Sequence, residues 1–277
     1  MAESGLRVIE ETPAYWRAVF DYPPFNVLDG TLYAELQTLL DRMDASPDLR
    51  VIVFESAIPV FFLSHFDLTG HLGNISTAVG RSGLPILTDT FVRLTTSPVA
   101  SIAKIRGRAR GACSEFVLAC DMRFASREKA ILGQPEVAVG LHPGGGGCER
   151  LPPLVGRGRA LEIILTGSDF DGETAERYGY VNRALPDAEL DSFVDALARR
   201  LASFDRQAIA AAKALVNKAS LPTADQLLDA LNSFQAALSW PEAQARVRAL
   251  LERGLQDDRE FERDWTEGLG TLLEQPA

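Results

Sequence analysis

The sequence predicts an α/β protein whose core alternates strands with helices and whose last quarter is helical. Two observations predict the core. Runs of β-branched and apolar residues, such as 51–54 and 99–105, alternate with segments whose apolar residues recur at helical spacing. The strand runs are almost continuously hydrophobic, which is typical of parallel strands covered on both faces. A third observation, the scarcity of strand patterns after residue 205, predicts a separate helical region.

The first half of the chain contains three kinds of predicted element. The regular elements lie, in order, at 6–11 (strand), 15–22 (strand), 30–45 (helix), 51–54 (strand), 86–96 (helix) and 99–105 (strand). The first two strands form a hairpin around Thr12–Pro13. Between the third strand and the second helix, residues 57–84 carry four glycines and predict a mobile loop over a pocket.

The second half begins with a predicted loop over Gly107–Gly111 and continues with shorter elements. These are predicted at 115–120 (helix), 122–125 (strand), 140–147 (glycine loop), 148–155 (helix), 206–218 (helix), 223–238 (helix), 241–254 (helix) and 258–274 (helix). We therefore divide the chain into an α/β core, 1–204, and a helical region, 205–277. The apolar stripes of that region need a partner, which is either the core or another subunit.

Composition narrows the classes of function. Lys and Arg total 28 against 38 Asp and Glu, and the net charge of −10 disfavours nucleic acid and anionic lipid as partners. The N-terminus lacks a secretory pattern and no apolar run is long enough to span a bilayer, so we expect a cytoplasmic protein. Three cysteines and three scattered histidines form no metal-ligand motif, so we expect neither a disulfide framework nor a metal site.

The first segment that suggests chemistry is 107–121. Gly111 precedes a short predicted helix, so the backbone N–H groups of Ala112 and Cys113 lie at the helix start, where they favour an oxygen carrying negative charge. Glu115 follows one turn later, as an acid/base group beside such donors would. The alternative is a capped helix with a surface glutamate.

The second segment is 132–147, in which Glu136 follows Pro135 within an apolar run. Desolvation there would raise the pKa of Glu136, and two carboxyls in different environments can divide acid and base roles. Alternatively, Glu136 faces solvent on a strand or pairs with Arg150. A third segment, 59–70, is either an apolar loop packed on the core or the source of a second backbone donor.

Several motifs in register resemble the enoyl-CoA hydratase/isomerase (crotonase) family. Residues 100–126 resemble the family signature IAxVxGxAxGGGxExxxxCDxxxA, and Gly133–Gly147 resembles the GQPE-x-x-x-G-x-x-P-G-x-G-G motif that follows it. Residues 165–186 resemble the LTG segment, and Asn26 fits the early P-x-x-x-N-A-L element. The resemblance runs from about residue 14 to 220.

This resemblance implies a crotonase-like spiral of ββα units, a C-terminal region that forms a homotrimer or a dimer of trimers, and an acyl-CoA substrate with no other cofactor. It implies an oxyanion hole made by the N–H groups of Phe66 and Ala112, with Glu115 and Glu136 as the catalytic pair. The positions that the resemblance assigns to substrate or CoA binding are Ser64, His65, Asp67, Leu68, Gly111 and Gly144.

The implied reaction is addition or removal of water at the α,β position of an acyl-CoA thioester through a stabilised enolate. Isomerases of the family commonly keep only the second glutamate, so keeping both favours a hydratase. Three alternatives within the family are double-bond isomerisation, retro-Claisen cleavage and decarboxylation. A non-catalytic scaffold or RNA-binding member is a further alternative, which the charge of −10 disfavours.

The chain departs from the family pattern around the predicted oxyanion hole. Ser64–His65–Phe66–Asp67 replaces a smaller A-G-A-D, and Gly111–Ala112–Cys113 replaces G-G-G. His65 either titrates or binds a substrate carboxylate, or it packs within the loop. Cys113 is expected to be a packing residue, although a helix start can lower the pKa of a thiol. Arg108 and Arg110 form either ion pairs or contacts with a polar acyl group or a CoA phosphate.

Overall fold

The computed structural model describes residues 5–69 and 78–272, and two sheets form its centre. The larger sheet has six strands in the order β1-β2-β3-β5-β7-β10, and the smaller has four in the order β4-β6-β8-β9. The strands are β1 Leu6–Thr12, β2 Tyr15–Phe20, β3 Val51–Ser56, β4 Phe61–Leu63, β5 Ala100–Ile105, β6 Arg108–Arg110, β7 Met122–Ser126, β8 Ile131–Gly133, β9 Phe170–Asp171 and β10 Arg183–Leu185.

The helices pack around these sheets and dominate the end of the chain. They are α1 Gly30–Asp44, α2 Ile86–Thr96, α3 Ala112–Ala119, α4 Gly147–Val155, α5 Arg157–Thr166, α6 Gly172–Tyr178, α7 Asp187–Ala202, α8 Arg206–Ser220, α9 Ala224–Ala237, α10 Pro241–Glu252 and α11 Arg259–Asp264. Short 3-10 helices cover Glu136–Val139 and Trp265–Thr271. None of the helices described is long and apolar enough to cross a membrane.

The chain alternates between the two sheets, which produces the ββα repeat. A strand of the larger sheet is followed by a strand of the smaller one and then by a helix, as in β3–β4–α2 and β5–β6–α3. Successive strands within each sheet pair mostly in parallel, because each returns through a helical crossover. The ends of these units place the starts of helices α3 and α4 on the same side of the core.

Most predicted elements are confirmed, but the loop at 107–111 and the single helix at 258–274 are wrong, because the latter is α11 followed by a 3-10 helix. Residues 107–111 were expected to form only a loop, but Arg108–Arg110 pairs with β4 on one side and β8 on the other. Strands of three residues carry too little alternation to be read from sequence, which also explains why β4 was missed within the predicted loop at 57–84. The part of that loop at 70–77 lies outside the described residues.

The C-terminal helices pack against the core of the same chain. Their apolar side chains form a cluster with Val139 and Leu141, which belong to the glycine-rich segment before α4. Trp265 and Leu269, in the last 3-10 helix, belong to this cluster. The helical region therefore closes over the segment that carries Glu136, while its predicted role in trimerisation stays a prediction.

Candidate active site

An apolar pocket of about 730 Å³, counting its open mouth, lies between the core and the C-terminal helices. The starts of α3 and α4 form its floor, α2 forms one wall, and residues from α9 and the last 3-10 helix form another. Its lining is Tyr33, His65, Phe66, Leu68, Leu87, Thr88, Phe91, Gly111, Ala112, Glu115, Pro135, Glu136, Val139, Leu141, Gly144, Gly145, Leu231, Phe234 and Trp265.

Glu115 lies on the first turn of α3 and is 2% exposed. Its carboxylate accepts hydrogen bonds from the backbone N–H of Gly145, at 2.8 Å, and of Gly147, at 2.7 Å. Burial raises the pKa of Glu115 to about 7, although these two donors act in the opposite direction. Gly145 must be glycine here, because a Cβ would lie 2.6 Å from a Glu115 oxygen.

Glu136 begins a 3-10 helix and is 8% exposed. It is therefore not on a strand facing solvent, which was one of the alternatives considered from the sequence. Burial, followed by the charge of Glu115, raises the pKa of Glu136 well above its usual range. One terminal atom of the Gln134 amide lies 3.3 and 3.1 Å from the two Glu136 oxygens, where the amide can donate to an ionised carboxylate or accept from a protonated one. Gly111, at φ +54°, brings its backbone so close that a Cβ would lie 2.8 Å from Glu136.

The two N–H groups predicted to form an oxyanion hole both belong to pocket-lining residues. No residue that the structure describes accepts a hydrogen bond from Phe66 N–H or Ala112 N–H. The carbonyls of the same peptide units are occupied, since His65 O accepts from Leu28 N–H at 2.9 Å and Gly111 O accepts from Glu115 N–H at 2.9 Å. Both peptide units are thus anchored through their carbonyls, and neither N–H has an acceptor among the described residues.

Of the six positions assigned to substrate or CoA binding, four line the pocket: His65, Leu68, Gly111 and Gly144. Ser64 and Asp67 are buried beside it rather than in its lining. Asp67 accepts a hydrogen bond from the Gln256 side chain at 2.7 Å. His65 Nδ1 lies 2.7 Å from the Phe66 carbonyl and Nε2 lies 2.9 Å from a Glu262 oxygen, which favours the packed-loop interpretation over contact with a substrate carboxylate.

The arginines and the cysteine beside the pocket have structural surroundings. Arg110, 1% exposed, pairs with Asp169 at 2.9 and 2.5 Å, and Arg108 contacts Asp264 at 3.2 Å. The ion-pair interpretation therefore describes both arginines, although the pair of Arg110 is buried rather than on the surface. Burial raises the pKa of the Cys113 thiol well above its usual range, as expected of a packing residue.

Sequence reasoning missed the part of the lining that comes from the C-terminal region. Leu231, Phe234 and Trp265 line the pocket, although they lie more than 80 residues beyond the last motif glycine that does so, Gly145. Apolar residues on an amphipathic helix look alike in sequence whether they face a core or a ligand pocket. Gly145 and Gly147 were within the recognised motif, but only the structure identifies them as the donors to Glu115.

The comparison with known families agrees with the geometry. A profile described as enoyl-CoA hydratase/isomerase matches residues 17–257. The chain belongs to this family. The match begins within β2 and ends just before α11, so the enoyl-CoA hydratase/isomerase profile leaves out the segment that carries Trp265.

Solved structures of the enoyl-CoA hydratase/isomerase family superpose on the chain over almost its full length. A candidate enoyl-CoA hydratase from Streptomyces avermitilis is 42% identical, with a TM-score of 0.90, over 99% of this chain and 98% of that one. An enoyl-CoA hydratase from Geobacillus kaustophilus is 27% identical, with a TM-score of 0.71, over 91% and 96%. One from Bacillus halodurans is 25% identical, with a TM-score of 0.78, over 89% and 100%.

Proposed function

We propose that this member of the family is an enoyl-CoA hydratase, which adds water across, or removes it from, the α,β position of an acyl-CoA thioester. The observation that carries the proposal is the pair of buried carboxyls, Glu115 and Glu136, in one apolar pocket. Both have raised pKa values, and the charge of Glu115 contributes to the rise at Glu136. Such a pair favours one ionised and one protonated member near neutral pH.

The environments of the two carboxyls assign their roles. Two backbone N–H groups stabilise the ionised form of Glu115, which makes it the base that takes a proton from water as the water oxygen bonds to the β-carbon. Glu136 has no such pair of backbone donors among the described residues, so it holds the proton that is delivered to the α-carbon. In the dehydration direction the two roles reverse.

The thioester oxygen carries the negative charge that develops during addition. We assign it to the N–H groups of Phe66 and Ala112, which are unoccupied by described residues and lie in the lining of the same pocket. Donors fixed in advance stabilise an enolate without having to reorganise during the reaction. The apolar remainder of the pocket suits a hydrocarbon or aromatic acyl group better than an acyl group that carries a free charge.

The proposal is tested by incubating a panel of enoyl-CoA thioesters with the protein and following the products by mass spectrometry. Hydration adds the mass of water, isomerisation leaves the mass unchanged, and cleavage or decarboxylation lowers it. We expect hydration, reduced about a hundredfold or more in both Glu115→Gln and Glu136→Gln. Glu260→Gln, which changes an exposed acid on α11, is the matched control. Turnover without a mass change that survives Glu115→Gln would contradict the proposal.

A further inference from the structure

Three residues that depart from the family pattern contact one short segment of the chain. His65, Arg108 and Arg110 lie on the β4–α2 connection and on β6, and all three contact residues 262–264. That segment lies beyond residue 257, where the match to the family profile ends. The residues that depart from the family pattern lie on the two predicted oxyanion-hole loops. They therefore contact a C-terminal segment that the family profile does not match. We name residues 262–265, together with Gln256, the C-terminal clasp.

The contact between His65 and Glu262 holds a proton. Nδ1 of His65 lies 2.7 Å from the Phe66 carbonyl, which can only accept, so Nδ1 carries a hydrogen. Nε2 lies 2.9 Å from a Glu262 oxygen, and two bare acceptors would repel at that distance. The pair therefore carries a proton, and the raised pKa of His65 with the lowered pKa of Glu262 places it on the ring, in an ion pair whose atoms do not meet hydrogen-bond geometry. With exposures of 5% and 0%, the two residues form a pair that is shielded from solvent.

This pair fixes the backbone on both sides of Phe66. His65 Nδ1–H holds the Phe66 carbonyl, while Leu28 N–H holds the preceding carbonyl, that of His65, at 2.9 Å. With both peptide planes anchored, the Phe66 N–H has a set direction. Gln256 adds two contacts to the same loop, because its side chain accepts from Leu68 N–H at 2.7 Å and donates to Asp67 at 2.7 Å.

The clasp also holds the strand that leads to Ala112. Arg110, two residues before Ala112, donates to the carbonyls of Glu262, at 3.1 Å, and Arg263, at 2.8 Å. The Trp265 ring packs against both loops, with its centroid 5.8 Å from that of His65 and 5.7 Å from the Arg110 guanidinium carbon. A direct bond from Arg110 N–H to the Ser64 carbonyl, at 3.1 Å, joins the two loops beneath it.

We propose that the C-terminal clasp positions the oxyanion hole, with Glu262 as a positioning residue that acts through His65 on the Phe66 N–H. The proposal rests on the proposed function for the role of that N–H, but the mechanical part stands on the contacts alone. On the two loops, bulky or charged side chains stand where the family pattern has small residues, and the clasp contacts His65, Arg108 and Arg110 among them. The pocket is thus completed by a segment outside the profile of the family.

The mechanical part is tested by hydrogen exchange in the full-length protein without any substrate. In Glu262→Met the buried His65 loses its partner, and we expect backbone amides in 64–68 and 110–112 to exchange about tenfold faster. Glu262→Gln should rescue much of the protection, because its amide donates to the bare Nε2 of a neutral His65. Glu260→Met, the same change at an exposed position of α11, should leave exchange at the wild-type rate.

His65→Asn removes the other member of the pair, and it is the variant to measure if Glu262→Met does not fold. Protection in these two loops that stays at the wild-type level in either variant would overturn the inference, and so would a rise of equal size in every segment of the chain. Absence of any thioester turnover by the wild type would instead refute the proposed function. It would leave the result of the exchange experiment unaffected, because that experiment uses no substrate.

The catalytic part is read from kinetics. We expect Glu262→Met to lower kcat about tenfold or more while KM changes little, because the oxyanion contact strengthens as charge develops. In a His65→Asn background the same substitution should add no further loss, since Glu262 acts through that ring. Independent, additive losses in the two single variants would contradict a common path through His65.

Discussion

At the residue scale, burial and backbone donors rather than neighbouring cations set the chemistry of the two glutamates. Glu115 is as buried as a core leucine, yet Gly145 and Gly147 donate to it and limit the rise of its pKa to about 7. Glu136 has apolar walls and a neighbouring carboxylate, so its pKa rises further. Under the proposed function, this difference lets two residues of one chemical type divide the roles of base and acid within one pocket.

These pKa directions predict the dependence of activity on pH. For hydration, Glu115 must be ionised, so kcat/KM should increase with pH up to about 7 and then level off. It should decrease at higher pH, where Glu136 loses its proton. Because the two groups interact, both limits belong to the pair rather than to single residues. The profile is measured by following hydration from pH 5 to 10, and activity that is highest at pH 5 would contradict the assignment.

The pair was predictable as two acids in recognised motifs, and so was the raised pKa of one of them, but the donors that stabilise the other were not. The apolar neighbours of Glu136 in the sequence correctly predicted a raised pKa. The donors to Glu115 lie about 30 residues further along the chain. A local sequence pattern does not indicate which distant backbone N–H groups will donate to a carboxylate in the folded chain. His65 could not be placed from sequence because its partner, Glu262, is almost 200 residues away.

At the scale of elements, short strands and helix starts determine the site. Ala112, the first residue of α3, lines the pocket, and the three-residue strand β6 leads directly to it. The long elements were predictable from periodicity, whereas β4 and β6 were not, because three residues cannot display a period. The clasp was hidden for a different reason, since the sequence predicted one continuous helix over 258–274 where the structure has α11 and a 3-10 helix.

The helix start gives a substitution that removes one hydrogen bond with little effect on the fold. Ala112 is the first residue of α3, a position that tolerates proline, and proline has no N–H. We expect Ala112→Pro to lower kcat by about 10²–10³, the usual loss for one oxyanion-hole donor. Ala112→Gly, which keeps the N–H, is the control. Steady-state kinetics together with far-UV circular dichroism separates loss of the donor from loss of the fold, and unchanged kcat in a folded Ala112→Pro protein would refute the role.

At the scale of the whole molecule, the C-terminal helices of the chain close the pocket of its core. Other apolar surface remains uncovered in the single chain. Helix α8 buries none of its residues in the single chain, and Leu215 and Val216 on it are 69% and 64% exposed. Adjacent apolar residues on an uncovered helix face are characteristic of a subunit interface. The division at residue 204 remains a prediction from the sequence pattern, and the trimeric assembly remains one from the family resemblance.

The assembly is tested by sedimentation of the wild type and of Val216→Glu. We expect the wild type to sediment as a trimer or a multiple of one, and a buried charge at α8 to shift it toward the monomer. Lys218→Gln, a change at an exposed polar position of the same helix, should leave the mass unchanged. A wild-type monomer, or a trimer indifferent to Val216→Glu, would show that α8 does not form the interface.

The central claim is that Glu115 and Glu136 add water to an enoyl thioester, and the most direct measurement uses labelled water. The protein is incubated with an enoyl-CoA in H₂¹⁸O, and the product is analysed by mass spectrometry. We predict a 3-hydroxyacyl-CoA that carries one ¹⁸O at the β-carbon, formed at least about a hundredfold more slowly by Glu115→Gln and by Glu136→Gln. A product without the label, or label incorporation that both variants leave unchanged, would contradict the account.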